Sequence, residues 1–196
     1  MKEMSKARVI YLRSPESVMN EKMLLEKLQN PFLVNMNYAF QDEQHLYLVA
    51  DLLTGGDLRF QMMKGRKKRF SETESKFLIA CLILGLDYLH KENVIHRDIK
   101  PENLVMDEQG YLRVTDLGIA KELRPNNSDD TSGTPGYMAP EILARKNHGI
   151  EVDYFAVGVI TYELMLNKRP YDGQTRDQVR AQITARQVQI RREEVP

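Results

Sequence analysis

The chain has 196 residues, enough for one domain or two small ones with a real core. Apolar residues make up 42% and charged residues 29%, the balance of an ordinary globular protein. Lys+Arg and Asp+Glu both number 28, so the formal charge is zero, which argues against a dedicated binder of nucleic acid or anionic membrane.

A strand enters at Lys2. Ser14-Pro15 then reads as a helix start, with Ser as the cap and Pro in the first turn, and the helix runs to about Leu28 before Asn30-Pro31 stops it. Its inward stripe is Val18, Glu21, Leu25 and Leu28, at helical spacing. A carboxylate in an apolar stripe needs a partner, so Glu21 requires a cation from elsewhere in the chain. LVNMNYAF (33–40) and HLYLVADL (45–52) predict two strands joined by a polar turn. LLTGGDL (52–58) is a hinge, after which the chain is mostly helical. The basic run KGRKKR (64–69) reads as a solvated loop, the alternative being a docking or localisation patch.

Ser71 and Glu74 predict a capping box ahead of a long apolar helix ending near His90. Within it, FLIACLILGL holds the only cysteine, Cys81, which reads as inert core rather than a reactive thiol. One cysteine allows no disulfide within the chain and fits a reducing compartment, cytoplasmic or nuclear. The apolar run is too short to span a bilayer, and no signal-peptide core stands at the N-terminus. Short strands are predicted around VIHRD and YLRVTD, a loop over 124–136, and a helix buried on all faces over 153–166. The last thirty residues are charged and amphipathic.

HRDIKPEN (96–103) is followed by TDLG (115–118) and GTPGYMAPE (133–141). Each motif alone is weak; Asp116 alone reads as a turn aspartate ahead of Gly118. Together, in this order and at these spacings, they resemble the catalytic loop, metal-binding loop and substrate platform of eukaryotic protein kinases. The resemblance implies an α+β, two-lobe kinase-like fold. Its small lobe would be truncated to the C-helix and remaining strands (1–50), followed by a hinge (51–57) and a mostly helical large lobe (58–196) lacking its last helices.

The roles implied by the resemblance follow phosphoryl transfer, which is mostly positioning and charge neutralisation. Asp98 would orient the substrate hydroxyl and accept its proton. Lys100 would neutralise the γ-phosphate, and Thr134 would bond to both. Asn103 and Asp116 would hold Mg²⁺, a hard cation that takes oxygen ligands. Lys100 and GTPGYMAPE resemble the Ser/Thr form of the family rather than the tyrosine form, and the platform disfavours a small-molecule kinase. NPFLV and GGDL resemble the AGC group, near cAMP-dependent kinase. Lys2 then falls at the ATP-anchoring lysine and Glu21 at the C-helix glutamate, which agrees with the need of Glu21 for a cation. Asp51 and Leu53 match hinge positions whose backbone meets adenine, and Asp57 one that meets ribose and a basic substrate side chain. Glu102 and Glu163 match acidic positions that bind arginines, so the substrate is expected to carry Arg two or three residues before its Ser or Thr. For Glu163 the alternative is a structural partner within the core. His96, Leu25, Met36 and Leu117 match an apolar spine joining the lobes, and Asp153 a residue that bonds the catalytic-loop backbone.

Four departures from the family pattern matter. Leu117 replaces the usual Phe of the metal loop, and its apolar side chain is expected to preserve activity. Ala50 stands at the gatekeeper position beside adenine, where a larger residue is usual. The position of the activation-loop phosphothreonine falls on Asp130, next to Asp129, Thr131 and Ser132. A carboxylate there is expected to pair permanently with Arg97; the alternative is that the acidic pair only keeps a loop solvated. Finally, no G-x-G-x-x-G precedes Lys2, and the arginine expected to pair with Glu141 would lie past Pro196. The chain is therefore expected to begin inside a kinase domain, with Met1 an internal methionine. The second function class is a non-catalytic binding module; the chemistry-bearing residues favour an enzyme acting on protein substrates with ATP and Mg²⁺.

Overall fold

An antiparallel hairpin over residues 36–50 organises the first third of the chain. The computed structural model describes residues 1–12, 14–64, 69–173, 175–185 and 188–190. Its elements in chain order are β1 (Lys2–Ser5), α1 (Lys6–Tyr11), α2 (Pro15–Lys27), β2 (Met36–Gln41), β3 (His45–Ala50), α3 (Leu58–Lys64), α4 (Glu72–Lys91) and β4 (Val94–Ile95). A 3₁₀ turn (Pro101–Asn103) leads to β5 (Leu104–Met106), β6 (Leu112–Val114), β7 (Lys121–Glu122), α5 (Pro140–Leu143), α6 (Glu151–Leu166) and α7 (Arg176–Ala185).

The β2–β3 turn closes on Asp42, whose Oδ1 accepts from the main-chain N–H of Gln44 at 2.7 Å and of His45 at 2.6 Å. On the far side of β3 lies β1, antiparallel, giving the order β1-β3-β2 with Lys2 opposite Leu48. The strand at Lys2 is thus held by a backbone ladder.

The helix after Pro15 forms as its periodicity predicts, burying Glu21, Leu24 and Leu25. Two details differ from the sequence reading. The Ser14 hydroxyl does not cap it but donates to the Val9 carbonyl, at 3.4 Å, because the short helix α1 ends there. Leu24 replaces the half-buried Val18 on the inward stripe.

In α4 the capping box is present: Ser71 Oγ accepts from Glu74 N–H at 3.2 Å and Glu74 Oε2 from Ser71 N–H at 2.7 Å. Leu78, Leu82, Leu86 and Leu89 make its buried stripe, packed with Cys81 against Ile160 and Leu164 of α6 in one core. The basic run lies mostly outside the described residues. The helix read as buried on all faces is α6, but its side at Tyr154 and Gly158 is open, lining an apolar groove of about 440 Å³ with Tyr171 and Ile190. Apolar composition marked every face alike; packing covers only those that meet α4 and the loops.

The predicted strands VIHRD and YLRVTD appear as β4 and β6, each paired with a strand the sequence did not announce, β7 and β5. The 124–136 stretch has no helix or strand. It is pinned by buried Asn127, whose Nδ2 donates to the His148 carbonyl at 2.9 Å.

Main-chain bonds join the sheet to the helical part. Val34 N–H donates to Val114 O and Val114 N–H to Phe32 O, each at 2.9 Å. Gly55 N–H donates to Met106 O, and Met106 N–H to Gly56 O, each at 3.0 Å. A Cβ on Gly55 would lie 2.7 Å from Met106 Cβ, so only glycine lets the hinge approach β5.

Candidate active site

The loop after β4 is held from beneath. Asp153, 1% exposed on α6, accepts from Arg97 N–H at 2.8 Å and His96 N–H at 3.0 Å, and meets His90 Nε2 at 2.8 Å. Two backbone donors and an imidazole satisfy a carboxylate that burial alone would penalise. His96, fully buried, donates from Nε2 to Thr115 O at 3.0 Å and accepts at Nδ1 from Asp98 N–H at 3.2 Å, the pattern of a neutral ring. Arg97 and Asp116 both take left-handed backbone, with φ of 69° and 62°. Such strain in non-glycine residues collects at functional loops and is not visible in a sequence.

Asp98 is the hub of a polar cluster. Its Oδ1 accepts from the Thr134 hydroxyl at 2.6 Å, and its Oδ2 from Lys100 Nζ at 2.6 Å. Lys100 also donates to Thr134 Oγ1 at 2.9 Å, and Asn103 Nδ2 donates to Asp98 O at 2.9 Å. Burial raises the pKa of the Asp98 carboxyl, but the Lys100 and Thr134 hydrogen bonds outweigh it and hold the group below its ordinary value of 3.8. A depressed carboxylate stabilises the fold above its ordinary pKa and loses that contribution as pH falls through the folded value. Melting curves are therefore expected to separate wild type from Asp98→Asn more at pH 6 than at pH 2; an equal gap at both would contradict the assignment.

From the sheet, Lys2 Nζ bonds both oxygens of Glu21, at 2.7 and 2.8 Å. Glu21 is buried on α2 and Lys2 half-exposed on β1, so the cation that the apolar stripe required comes from the neighbouring strand. Asp116 Oδ1 accepts from Gly118 N–H at 3.2 Å. A Cβ on Gly118 would lie 3.0 Å from Asp116 Oδ1 and 4.0 Å from Glu21 Oε2, so the two carboxylates flank one glycine. Sequence reasoning missed Ser17 and Asn20, which tie α2 to this loop: Ser17 Oγ donates to Gly118 O at 2.5 Å and Asn20 Nδ2 to Ala120 O at 2.8 Å. Their signal was two polar residues three apart on one helix face, Ser17 also standing four before Glu21. Leu25 and Leu117 share the core, with Met36 packed against it.

Ala50 ends β3, next to the hinge. The carboxylate of Asp51 is used structurally: its Oδ2 accepts from Asn35 N–H at 3.2 Å and pairs with Arg113 at 3.2 Å. The main-chain N–H and C=O of Leu53 have no main-chain partner among the described residues. Asp57 Oδ1 accepts from Phe60 N–H at 2.8 Å at the start of α3. Glu102 and Glu163 come together on one guanidinium, that of Arg59.

Asp130 pairs with Arg97 at 3.2 Å and with Lys121. Burial pushes its pKa up, but the Lys121 hydrogen bond and the Arg97 charge hold it below the ordinary value. Thr131 beside it is exposed. Glu141 is half-buried, with no ion pair among the described residues.

A small antiparallel sheet whose Lys2 pairs with the buried Glu21, bonded to a helical body that carries an Asp–Lys–Thr–Asn cluster, has the arrangement of a protein kinase domain. Residues 1–195 match the protein kinase domain family, and the chain belongs to it. It is 41% identical over 176 residues to the cAMP-dependent protein kinase catalytic subunit of Dictyostelium discoideum, covering 89% of this chain and 27% of that protein. It is 37% identical over 174 residues to cGMP-dependent protein kinase 2 of Homo sapiens (88% and 23% covered). With the RAC family serine/threonine-protein kinase homolog of D. discoideum the identity is 38% over 177 residues (89% and 39%). These relatives set it among the AGC kinases. The chain spans between about a quarter and two-fifths of their length. No helix among the described residues is long and apolar enough to cross a membrane.

Proposed function

We propose that this chain transfers the γ-phosphate of ATP to Ser and Thr hydroxyls of protein substrates. The observation that carries this reading is the Asp98 cluster, in which Lys100, Thr134 and Asn103 converge on one ionised carboxylate. Asp98 accepts the proton of the incoming hydroxyl as its oxygen bonds the γ-phosphorus and the bond to the leaving ADP oxygen breaks. Lys100 offsets charge on the phosphoryl oxygens, and Thr134 fixes the distance between Asp98 and the substrate platform. Lys2, aimed by Glu21, anchors the ATP phosphates. The main chain at Asp51 and Leu53 contacts adenine, and Asp57 contacts ribose.

Among the described residues no cluster of three or more His, Cys, Asp or Glu could hold a metal alone. Asn103, whose amide nitrogen is turned to Asp98, and Asp116 offer two oxygen ligands. Two protein oxygens completed by phosphate and water suit Mg²⁺. When bound with ATP it draws charge off the phosphates. Asp57, Glu102 and Glu163 are the acidic residues that basic side chains ahead of the acceptor would meet, Glu102 and Glu163 being joined to Arg59. The reading is tested by a Mg-ATP assay on a basic Ser peptide, its Thr and Tyr analogues, and Asp98→Asn as control. Transfer to Tyr alone, or equal transfer by Asp98→Asn, would refute it.

Ala50 leaves only a methyl beside the adenine position. Ala50→Met is expected to weaken bulky adenine-site ligands by about tenfold or more, the scale set by filling an apolar pocket. Unchanged affinity for such ligands, measured by calorimetry, would contradict the open pocket.

Asp130 supplies a permanent negative charge to Arg97 and Lys121, the service a phosphate would give. Asp130→Ala is expected to lower kcat about tenfold by leaving both cations unpaired. Full activity in that variant, with phosphorylation of Thr131 or Ser132 indispensable, would sink the idea.

A further inference from the structure

The acidic subsite assigned to a substrate arginine already contains one. Arg59, in the first turn of α3, donates from Nε to Glu102 Oε1 at 3.0 Å and from Nη2 to Glu163 Oε2 at 3.1 Å. Nη2 also meets the hydroxyl of Tyr137, a residue of the GTPGYMAPE platform. Glu163 is 2% exposed and its carboxylate is already engaged. Each oxygen lies 3.0 Å from the Tyr137 hydroxyl, whose single proton they share; Oε2 also pairs with Arg59 and Oε1 with Arg169 Nε at 3.2 Å. Three donors thus meet a carboxylate with about four acceptor sites, leaving little room for a further one. Two carboxylates face two guanidiniums, so the subsite has no net charge to attract a third.

Four parts of the fold meet here: α3, the 3₁₀ turn carrying Glu102, the platform at Tyr137, and α6 with Glu163. Glu102 lies four residues past Asp98, and its side chain is well exposed at 44%, so the subsite opens beside the catalytic loop. Arg59 is about one-fifth exposed, at 22%, which leaves it room to swing into solvent.

We propose that Arg59 is a specificity-determining residue that occupies the Glu102–Glu163 subsite from within the chain, so that a substrate arginine enters only by displacing it. This rests on the phosphotransfer reading for what the subsite serves. The exchange trades one guanidinium for another and gains little, while the tethered group competes at high effective concentration. The chain therefore discriminates weakly for arginine at this subsite, and the basic preference that Glu102 and Glu163 suggest is held back. A neutral residue at 59 frees the exposed Glu102 carboxylate and the Oε2 side of the buried Glu163 for the substrate.

The test measures binding of three labelled Ser peptides by fluorescence anisotropy, without ATP. They are alike except for arginine at the second residue before the acceptor, at the third, or at neither. Wild type is expected to favour the better arginine peptide by less than about threefold, and Arg59→Gln by about tenfold or more. A tenfold preference in wild type overturns the proposal. So does an Arg59→Gln protein, folded by thermal melt, that binds all three alike or none. Arg59→Ala serves as a second variant; if neither folds, the wild-type ratio alone decides. Because no turnover is needed, a failed Mg-ATP assay would count against the catalytic reading and leave this measurement standing.

Discussion

Asp98→Asn is expected to lower kcat by about a thousandfold while leaving the fold intact, the scale of removing a positioned general base. The substitution is isosteric, so Thr134 can still donate to the remaining carbonyl oxygen. The new amide, however, faces Lys100 Nζ, which now sits 2.6 Å from Asp98 Oδ2, and two donors cannot share that contact. Lys100 is released, and the oxygen that would take the substrate proton is gone. In the proposed role Asp98 meets the accepting hydroxyl rather than ATP, so the KM for ATP should move by no more than about twofold. Transfer of labelled phosphate to a Ser peptide reads both constants. A kcat within tenfold of wild type would remove Asp98 from the proposed role.

Lys2→Met is expected to cut kcat/KM for ATP by about a hundredfold, the scale of losing one aimed electrostatic contact. It also leaves Glu21 buried and unpaired, a destabilisation of about 1–3 kcal/mol. Those two effects are separable. Adding Glu21→Gln to Lys2→Met should restore much of the melting temperature, because a neutral amide tolerates the apolar face of α2. It should restore no activity, because nothing then reaches the phosphates. Recovery of activity in the double variant would mean that Lys2 serves only as the counter-ion of Glu21.

The need of Glu21 for a cation was legible in residues 18–28 alone, because a carboxylate among leucines at helical spacing is costly wherever the helix packs. That Lys2 answers it depends on β1 pairing antiparallel to β3 with Lys2 opposite Leu48, a register no local pattern announces. The capping box at Ser71 and Glu74 was equally legible, since both partners lie within one turn. Strands β5 and β7, of three and two residues, were not. They are too short to alternate, and only their partners give them an extended backbone.

The same division runs through the site. HRDIKPEN, TDLG and GTPGYMAPE, through their resemblance to protein kinases, named the residues proposed to carry chemistry. The same resemblance marked Asp130 and Ala50 as departures from the family pattern. Only the tertiary structure decided how the acidic residues are used. Asp130 is joined to Arg97 and Lys121, and Glu102 and Glu163 are joined through Arg59, a residue 43 and 104 positions away from them. Ionic contacts form between whichever charges the fold brings within reach. A sequence states the charges; folding chooses the pairs.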